Sequence, residues 1–139
     1  MSNEKKKRIY LICPVRQCTP EQKKEIDQYV EALETQGHWV HYPPRDVDQT
    51  NDDGGLRICR EHRTAMLTCN EVHVWWDPRS TGSHFDLGMA FMLQEILLIL
   101  RILGISQERS LRIVSANEIP DEVEKSFSSV LRGIIFEQE

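Results

Sequence analysis

Cysteines are few in this sequence, and none of them is spaced as part of a complete metal-binding motif. The four cysteines, Cys13, Cys18, Cys59 and Cys69, include no C-x-x-C pair. Cys59 and His62 form one C-x-x-H on a predicted helix, which without a second ligand pair is a weak zinc signal. We therefore expect reduced thiols, no metal site and a cytoplasmic protein.

The sequence also has no excess of basic residues. It contains 17 Lys and Arg against 22 Asp and Glu, for a formal net charge of −5, whereas a face that binds nucleic acid is normally basic. Residues 1–7 include a cluster of lysines, which we interpret as a solvated tail before the first strand. We therefore expect no nucleic-acid partner.

Long apolar runs are absent too. The longest, 96–103, is interrupted by Arg101 and is shorter than the ~20 residues that a membrane-spanning helix needs. No contact with a membrane is therefore expected. What the sequence does contain is 40% hydrophobic and 28% charged residues in a chain of 139 residues, a composition typical of one soluble globular domain that spans 1–139.

Apolar segments of strand length alternate with segments of helical periodicity along the chain. The predicted strands are 8–15, 38–42, 71–76, 96–102 and 111–115. The predicted helices are 20–36, 56–69, 83–93 and 120–131. The 96–102 segment could instead extend the helix before it. This alternation predicts an α/β fold of the flavodoxin- or Rossmann-like type, a three-layer sandwich with a parallel sheet of about five strands in the order 2-1-3-4-5.

The first predicted helix has clear signals at both of its ends. Thr19 is expected to be the N-cap, Pro20 the first helical residue and Gln22 the second member of a capping box. Gly37 is expected to end the helix, because glycine readily adopts the left-handed conformation that often follows a helix.

The most informative segment lies between the third strand and the third helix. It begins at Asp77 and continues through a turn of small residues, whose backbone N–H groups at a helix N-terminus suit an anion. Asp86, in what the sequence predicts to be the first turn of this helix, can face the same crevice. In the predicted strand order, ligands bind at the carboxyl ends of the first and third strands. A phosphate site beside a carboxylate indicates chemistry on a phosphorylated sugar.

The sequence around these residues resembles the nucleoside 2-deoxyribosyltransferase-like superfamily. The resemblance lies in the strand I-Y-L-I-C-P-V-R at 9–16 and, more specifically, in the block S-x-G-x-x-x-[acid]-L-G-x-A at 80–90. It covers about residues 8–116 and is greatest to nucleotide N-glycosidases. The resemblance implies cleavage or transfer at the N-glycosidic bond of a nucleoside or nucleoside 5′-monophosphate, with a small-molecule partner, no cofactor and a homodimer or larger homo-oligomer.

The resemblance also implies roles for individual residues. Asp86 stands where the family has a nucleophilic Glu, Tyr10 where it has a Tyr that orients the nucleophile, and His62 where it has an Asp that assists departure of the base. Residues that would bind the sugar and the 5′-phosphate are Arg16, Ser80, Gly82 and Ser83. Asp77, at the end of the third strand, is a further candidate to hold the sugar.

Most of these residues also have a purely structural interpretation. Asp86 could complement a helix dipole, Ser80 could simply cap a helix, Arg16 could be a surface charge, and Tyr10 and His62 could be core residues.

Asp86 is one methylene shorter than the family's Glu. A second hypothesis is therefore a non-catalytic nucleotide- or metabolite-binding module on the same fold, and a third, weaker one is a flavodoxin-like electron carrier.

Overall fold

The computed structural model describes residues 5–50, 54–106, 109–121 and 125–139. Within them, the strands are β1 (Arg8–Ile12), β2 (Trp39–His41), β3 (Glu71–Val74) and β4 (Arg112–Ser115). The helices are α1 (Pro20–Thr35), α2 (Pro43–Asp46), α3 (Leu56–Leu67), α4 (Thr81–Ile102) and α5 (Phe127–Gln138). Among these helices, none is both long enough and apolar enough to cross a membrane.

The described strands form one parallel sheet in the order β2-β1-β3-β4. Tyr10 of β1 is paired with Val72 of β3, which is paired in turn with Ile113 of β4. The order reverses direction between β1 and β3, so a crevice opens where the loops after these two strands diverge. The predicted α/β sandwich, its parallel sheet and the order of its second, first and third strands are confirmed. The segment predicted as the fifth strand, 111–115, corresponds to β4.

The predicted strand at 96–102 is wrong, because this segment continues α4 to Ile102. Gln94 and Glu95, which separate the two predicted elements, are good helix formers and no glycine or proline intervenes. Leu93 and Leu97, one helical turn apart, both pack against the core. The alternative that the segment extends the preceding helix is the correct one.

Other boundaries differ from the predictions in ways that follow from local chemistry. The last helix begins at Phe127 rather than Pro120, because Ser126 caps it by accepting a hydrogen bond from the Ser129 N–H. Residues 122–124 of the predicted helix lie outside the described residues. β1 ends at Ile12, ahead of Pro14, which has no N–H to donate to a neighbouring strand.

The predicted ends of α1 are confirmed. The Gln22 N–H donates to Thr19 Oγ1 at 3.1 Å, and the Thr19 N–H donates to Gln22 Oε1 at 3.0 Å. These two bonds make a complete capping box, with Pro20 as the first helical residue. At the other end, Gly37 has a φ of 95°, the left-handed conformation that glycine adopts without steric cost.

The hydrophobic core lies on both faces of the sheet. Successive residues of a strand point to opposite faces, so β1 sends Tyr10 and Ile12 to one side and Ile9 and Leu11 to the other. The first face is covered by residues of α3, α4 and α5, and the second by residues of α1. Tyr10 is therefore directed toward α3 and α4, the helices that carry the other predicted catalytic residues.

Candidate active site

A cavity of about 410 Å³ lies at the carboxyl ends of β1 and β3 and against the N-terminus of α4. Its volume is within the range of about 300–1,000 Å³ that small-molecule sites occupy. The residues that line it include six of the eight predicted site residues: Arg16, His62, Asp77, Ser80, Gly82 and Asp86. The structure thus brings together predicted residues from three separate segments of the chain at the predicted crevice.

Asp86 is the acidic centre of this cavity. It is the sixth residue of α4, because the helix begins at Thr81, so it lies in the second turn and not in the first turn that the sequence predicts. Its carboxylate accepts a hydrogen bond from the Tyr10 hydroxyl, with Oδ2 at 3.0 Å. His62 Nδ1 lies 3.1 Å from Oδ2 and 3.2 Å from Oδ1. Only 7% of Asp86 is exposed, so both donors hold a nearly buried carboxylate in one orientation.

Tyr10 lies beneath Asp86 and is fully buried, so it does not line the cavity. Burial and the adjacent Asp86 carboxylate both raise the pKa of the Tyr10 phenol, so the hydroxyl remains a proton donor to Asp86. The ring of His41 stacks on Tyr10 with centroids 5.2 Å apart, and His62 meets it edge-on at 5.8 Å. His41 was not among the predicted site residues, and no sequence motif distinguishes it.

His62 is also buried, on the face of α3 that packs toward α4. Its Nδ1 is engaged by Asp86, and its Nε2 is inaccessible and has no hydrogen-bond partner among the described residues. A proton on Nε2 would leave a buried N–H unpaired, at a cost of about 1–3 kcal/mol. The arrangement therefore favours a proton on Nδ1, which donates to Asp86. In this orientation His62 positions the carboxylate and does not present a proton to a leaving base.

The turn before α4 contributes the cap of that helix. Ser80 is the N-cap, and its Oγ accepts from the Ser83 N–H at 3.3 Å and lies 2.8 Å from Ser83 Oγ. Ser83 is only 2% exposed and does not line the cavity. Thr81 and Gly82 are the first two helical residues, whose N–H groups have no acceptor within the helix. A Cβ at Gly82 would meet no protein atom within 4 Å, so open space lies beside these groups.

Asp77 is held by Arg79, a residue that sequence reasoning missed. The carboxylate of Asp77 accepts from the Arg79 N–H at 2.9 Å and from the guanidinium at 3.0 and 3.1 Å. The hydrogen bonds from this guanidinium hold the pKa of the Asp77 carboxyl below its usual range. Both residues line the cavity. The available signal was the position of Arg79, two residues after Asp77 in the same turn.

The remaining wall of the cavity is mainly apolar or weakly polar. It includes Val15, Ile58 and Phe85, together with the cysteines Cys13 and Cys59. Burial raises the pKa of the Cys13 thiol to about 12, so at neutral pH this group is a poor nucleophile. Across the described residues, no three His, Cys, Asp or Glu side chains are grouped so that they could hold a metal ion.

Two other hollows are larger but lack comparable chemistry. One, of about 670 Å³, lies by β2 and is lined by residues such as Gly37 and Trp39. The other, of about 700 Å³, lies against α3 and is lined by residues such as Arg57 and Arg60. None of the eight predicted site residues lines either of them. Among their lining residues, neither of these two hollows has a buried carboxylate, whereas the smaller cavity has Asp77 and Asp86.

Comparisons with known proteins give a weak structural likeness. No family model matches the sequence, and no curated protein matches it. Among solved structures, the chain is similar to the CMP N-glycosidase BcmB of Clostridium botulinum, at 18% identity and a TM-score of 0.42, with 90% of this chain and 97% of that chain covered. A likeness at this level supports no assignment of activity, so the assignment depends on the geometry of the cavity.

Proposed function

We propose that the protein cleaves or transfers the N-glycosidic bond of a nucleoside or nucleoside 5′-monophosphate, with Asp86 acting at the anomeric carbon. The observation that supports this proposal is the position of the Asp86 carboxylate. It lies in a cavity of suitable size, close to a helix N-terminus, and is held by Tyr10 and His62. A cytoplasmic location and the absence of a cofactor stay predictions.

The chemistry follows from how Asp86 is held. Breaking the bond between C1′ and the base develops positive charge on the sugar ring, which a carboxylate beneath C1′ stabilises or captures as a covalent ester. Tyr10 donates to Oδ2 alone, and His62 Nδ1 lies between the two oxygens, at 3.1 Å from Oδ2 and 3.2 Å from Oδ1. Oδ1 therefore has fewer donors than Oδ2 and keeps a lone pair for C1′. Water then releases the sugar in hydrolysis, whereas a second base releases it in transfer.

The N-terminus of α4 is suited to the 5′-phosphate. Gly82 and Thr81 border the open space of the cavity, and the helix dipole favours a negative charge there. Asp86 follows Thr81 by five residues, or about 7.5 Å of helix rise, a separation comparable with the length of a ribose 5′-phosphate. Arg16 and Arg79, which also line the cavity, supply positive charge for the same group.

The test is a chromatographic assay for free base. The protein is incubated with ribo- and deoxyribonucleoside monophosphates, with and without a second free base, and compared with Asp86→Asn. We expect base release or exchange by the wild type and a loss of roughly a thousandfold or more in Asp86→Asn, because removal of a nucleophile costs at least that much. Asp121→Asn is the matched control, because the Asp121 side chain is 94% exposed and lies outside the cavity lining.

Two results would contradict the proposal. The first is a wild-type protein that neither releases a base nor exchanges one across the whole panel. The second is an Asp86→Asn variant whose rate equals that of Asp121→Asn.

A second candidate function is a nucleotide-binding module without catalysis. It is favoured by His62, whose Nδ1 is engaged by Asp86 and whose Nε2 is inaccessible, so His62 presents no proton to a departing base. In that case nucleoside monophosphates would raise the melting temperature without being consumed. If none of them shifts the melting temperature, this candidate fails as well.

A further inference from the structure

We propose that His41 is a positioning residue for Asp86, and that it acts through a buried water molecule that its Nε2 shares with His62 Nε2. The shared water completes a hydrogen-bonded chain from β2 through α3 to the candidate cavity. The binding of this water is independent of the proposed function, whereas its effect on the reaction rests on that function.

Two buried ring nitrogens are the reason to expect a shared partner. His41 Nε2 and His62 Nε2 are both inaccessible to solvent, and among the described residues neither has a hydrogen-bond partner. The whole His62 residue is only 8% exposed. Buried polar side-chain atoms are in the large majority hydrogen-bonded, to protein or to ordered water. Two unpaired nitrogens near one tyrosine therefore indicate a bound polar group.

Both nitrogens belong to rings that contact Tyr10. His41 is paired with Tyr10 in the register of β1 and β2, so the two side chains lie on the same face of the sheet. The His41 ring stacks on the Tyr10 ring with 19° between their planes and 5.2 Å between centroids, and the His62 ring meets it edge-on at 5.8 Å. Burial lowers the pKa of His41, and so does a charge on His62, against an opposing effect of Asp46. This electrostatic effect indicates that the two imidazoles are neighbours.

A single water molecule suits the chemistry of this position. The two nitrogens do not bond directly to each other, but one water molecule both donates and accepts and so can pair with both of them. A metal ion needs more ligands than these two, and no three His, Cys, Asp or Glu side chains of the described residues are grouped to hold one. An apolar occupant would leave both nitrogens unpaired. His41 also lines the hollow of about 670 Å³ beside β2, which gives water access to this side of the sheet.

The shared water extends the set of hydrogen bonds that holds Asp86. His62 Nδ1 lies 3.1 Å from Oδ2 and 3.2 Å from Oδ1 of Asp86, so its proton is directed to the carboxylate and Nε2 becomes an acceptor. The water then donates to this Nε2 and accepts from the Nε2–H of His41, so each group has a partner of the right kind. Burial favours the neutral form of His41, which has the one ring proton that this arrangement needs.

His41 therefore acts on Asp86 through two other residues. It stacks on Tyr10, which donates to Asp86 at 3.0 Å, and through the water it fixes the ring of His62. Both groups that hold the carboxylate are thus held in turn by β2. Because a small misplacement of a reacting group lowers the rate strongly, the effect of His41 should appear in the chemical step.

The first experiment is a crystal structure of the wild type at a resolution that orders water molecules. We expect one water molecule at about 2.7–3.2 Å from both Nε2 atoms. A structure in which no water contacts both atoms, or in which either nitrogen pairs with another protein group, overturns the proposal. This result needs neither a variant that folds nor catalytic activity.

The second experiment compares base release by His41→Phe, His41→Gln and the control His38→Phe. Phenylalanine keeps a ring on Tyr10 but has no nitrogen, whereas glutamine keeps a polar group near the position of Nε2. His38 is a matched control because it is also buried, at 8% exposure, and lies immediately before β2. Its Nδ1 accepts from the Lys7 N–H at 3.1 Å, and it does not line the candidate cavity.

We expect His41→Phe to lower kcat roughly tenfold and to leave KM within about twofold, because the orientation of Asp86 changes and substrate binding does not. His41→Gln should recover most of this loss, and His38→Phe should stay within about twofold of the wild type. An unchanged kcat in His41→Phe, or an equal loss in His38→Phe, overturns the positioning role.

A loss in His41→Gln as large as that in His41→Phe overturns the link through the ring nitrogen. If the wild type releases no base, the proposed function and the effect of His41 on the rate fail together, whereas the crystal structure still decides whether His41 and His62 share a water molecule.

Discussion

Two buried polar networks lie on opposite faces of the sheet, and they differ in how fully their atoms are paired. On the face covered by α1, Glu71 accepts from Lys7 Nζ at 2.8 Å and contacts His73 Nε2 at 2.9 Å. The other ring nitrogen of His73, Nδ1, lies 2.6 Å from the Tyr29 hydroxyl. Both carboxylate oxygens and both ring nitrogens therefore have partners. We refer to Lys7, Glu71, His73 and Tyr29 as the α1-side network.

On the face covered by α3 and α4, Tyr10, His62 and Asp86 form the second network. Within the described part of the chain, His62 Nε2 and the Nε2 of neighbouring His41 have no partner, and Asp86 opens on a cavity. Buried polar groups in folded proteins are nearly always paired, so unpaired groups need a reason. The α1-side network is thus fully paired, whereas the Asp86 network retains unpaired groups beside the cavity, the pattern expected if the proposed reaction takes place there.

The largest effect that separates the two networks is expected from their tyrosines. Tyr10→Phe removes the hydrogen bond to Asp86, so we expect base release to fall by roughly a hundredfold, as with other preorganised donors. Tyr29→Phe removes the contact with His73 and should leave the rate within about twofold, because a hydrogen bond far from the reaction acts mainly on stability. The measurement is the rate of base release at saturating substrate, compared between Tyr10→Phe and Tyr29→Phe. Equal losses in both variants would remove the distinction.

A smaller effect is expected on the free energy of unfolding. Glu71→Gln leaves either Lys7 or His73 without its acceptor, so we expect a loss of about 2 kcal/mol. If Asp86 serves the proposed reaction, Asp86→Asn should cost less than about 1 kcal/mol, because functional carboxylates are often suboptimal for stability. Urea denaturation of both variants at neutral pH measures the difference. The interpretation of the α1-side network is wrong if Asp86→Asn is the more destabilised of the two.

The smallest effect is expected in the pH dependence of stability. Burial lowers the pKa of His73. Burial also acts to raise the pKa of Glu71, but hydrogen bonds from Lys7 and His73 outweigh it and hold that pKa below its usual range. For both residues the unfolded chain binds protons at a higher pH than the folded chain does, so acid favours unfolding.

The free energy of unfolding should therefore begin to fall as the pH drops below about 6.5, the ordinary histidine value, and fall further below about 4.3, the ordinary glutamate value. We expect this loss to be about 1 kcal/mol or less in the histidine range and to be reduced in His73→Gln. Denaturation curves across this range provide the measurement. A slope that is identical in His73→Gln and the wild type would show that His73 does not contribute.

Much of the fold could be predicted because its signals are local. Thr19 and Gln22 lie three residues apart and form the box that their spacing predicts. Gly37 ends the helix that it was expected to end. The 96–102 segment was the exception, because a short apolar run has no periodicity that separates a strand from a helix. This segment is helical because residues such as Leu97 contact the core, and such contacts cannot be predicted from the sequence.

The candidate site could be predicted less completely. Most of the predicted residues line the cavity, but the structure buries Ser83 under the cap of α4 and pairs Asp77 with Arg79. These details depend on side-chain directions, which a motif does not specify. Whether Asp86 acts on a substrate stays a proposal.

The sequence by itself determined the α/β class, the parallel sheet and the helix caps, because alternating apolar periods and capping residues act over a few positions. Only the tertiary structure decided which polar atoms meet. Tyr10 and Asp86 are 76 residues apart, and His62 and Asp86 are 24 apart. Their hydrogen bonds exist because the order of the strands and the packing of α3 on α4 bring distant segments to one point, and neither depends on local sequence alone.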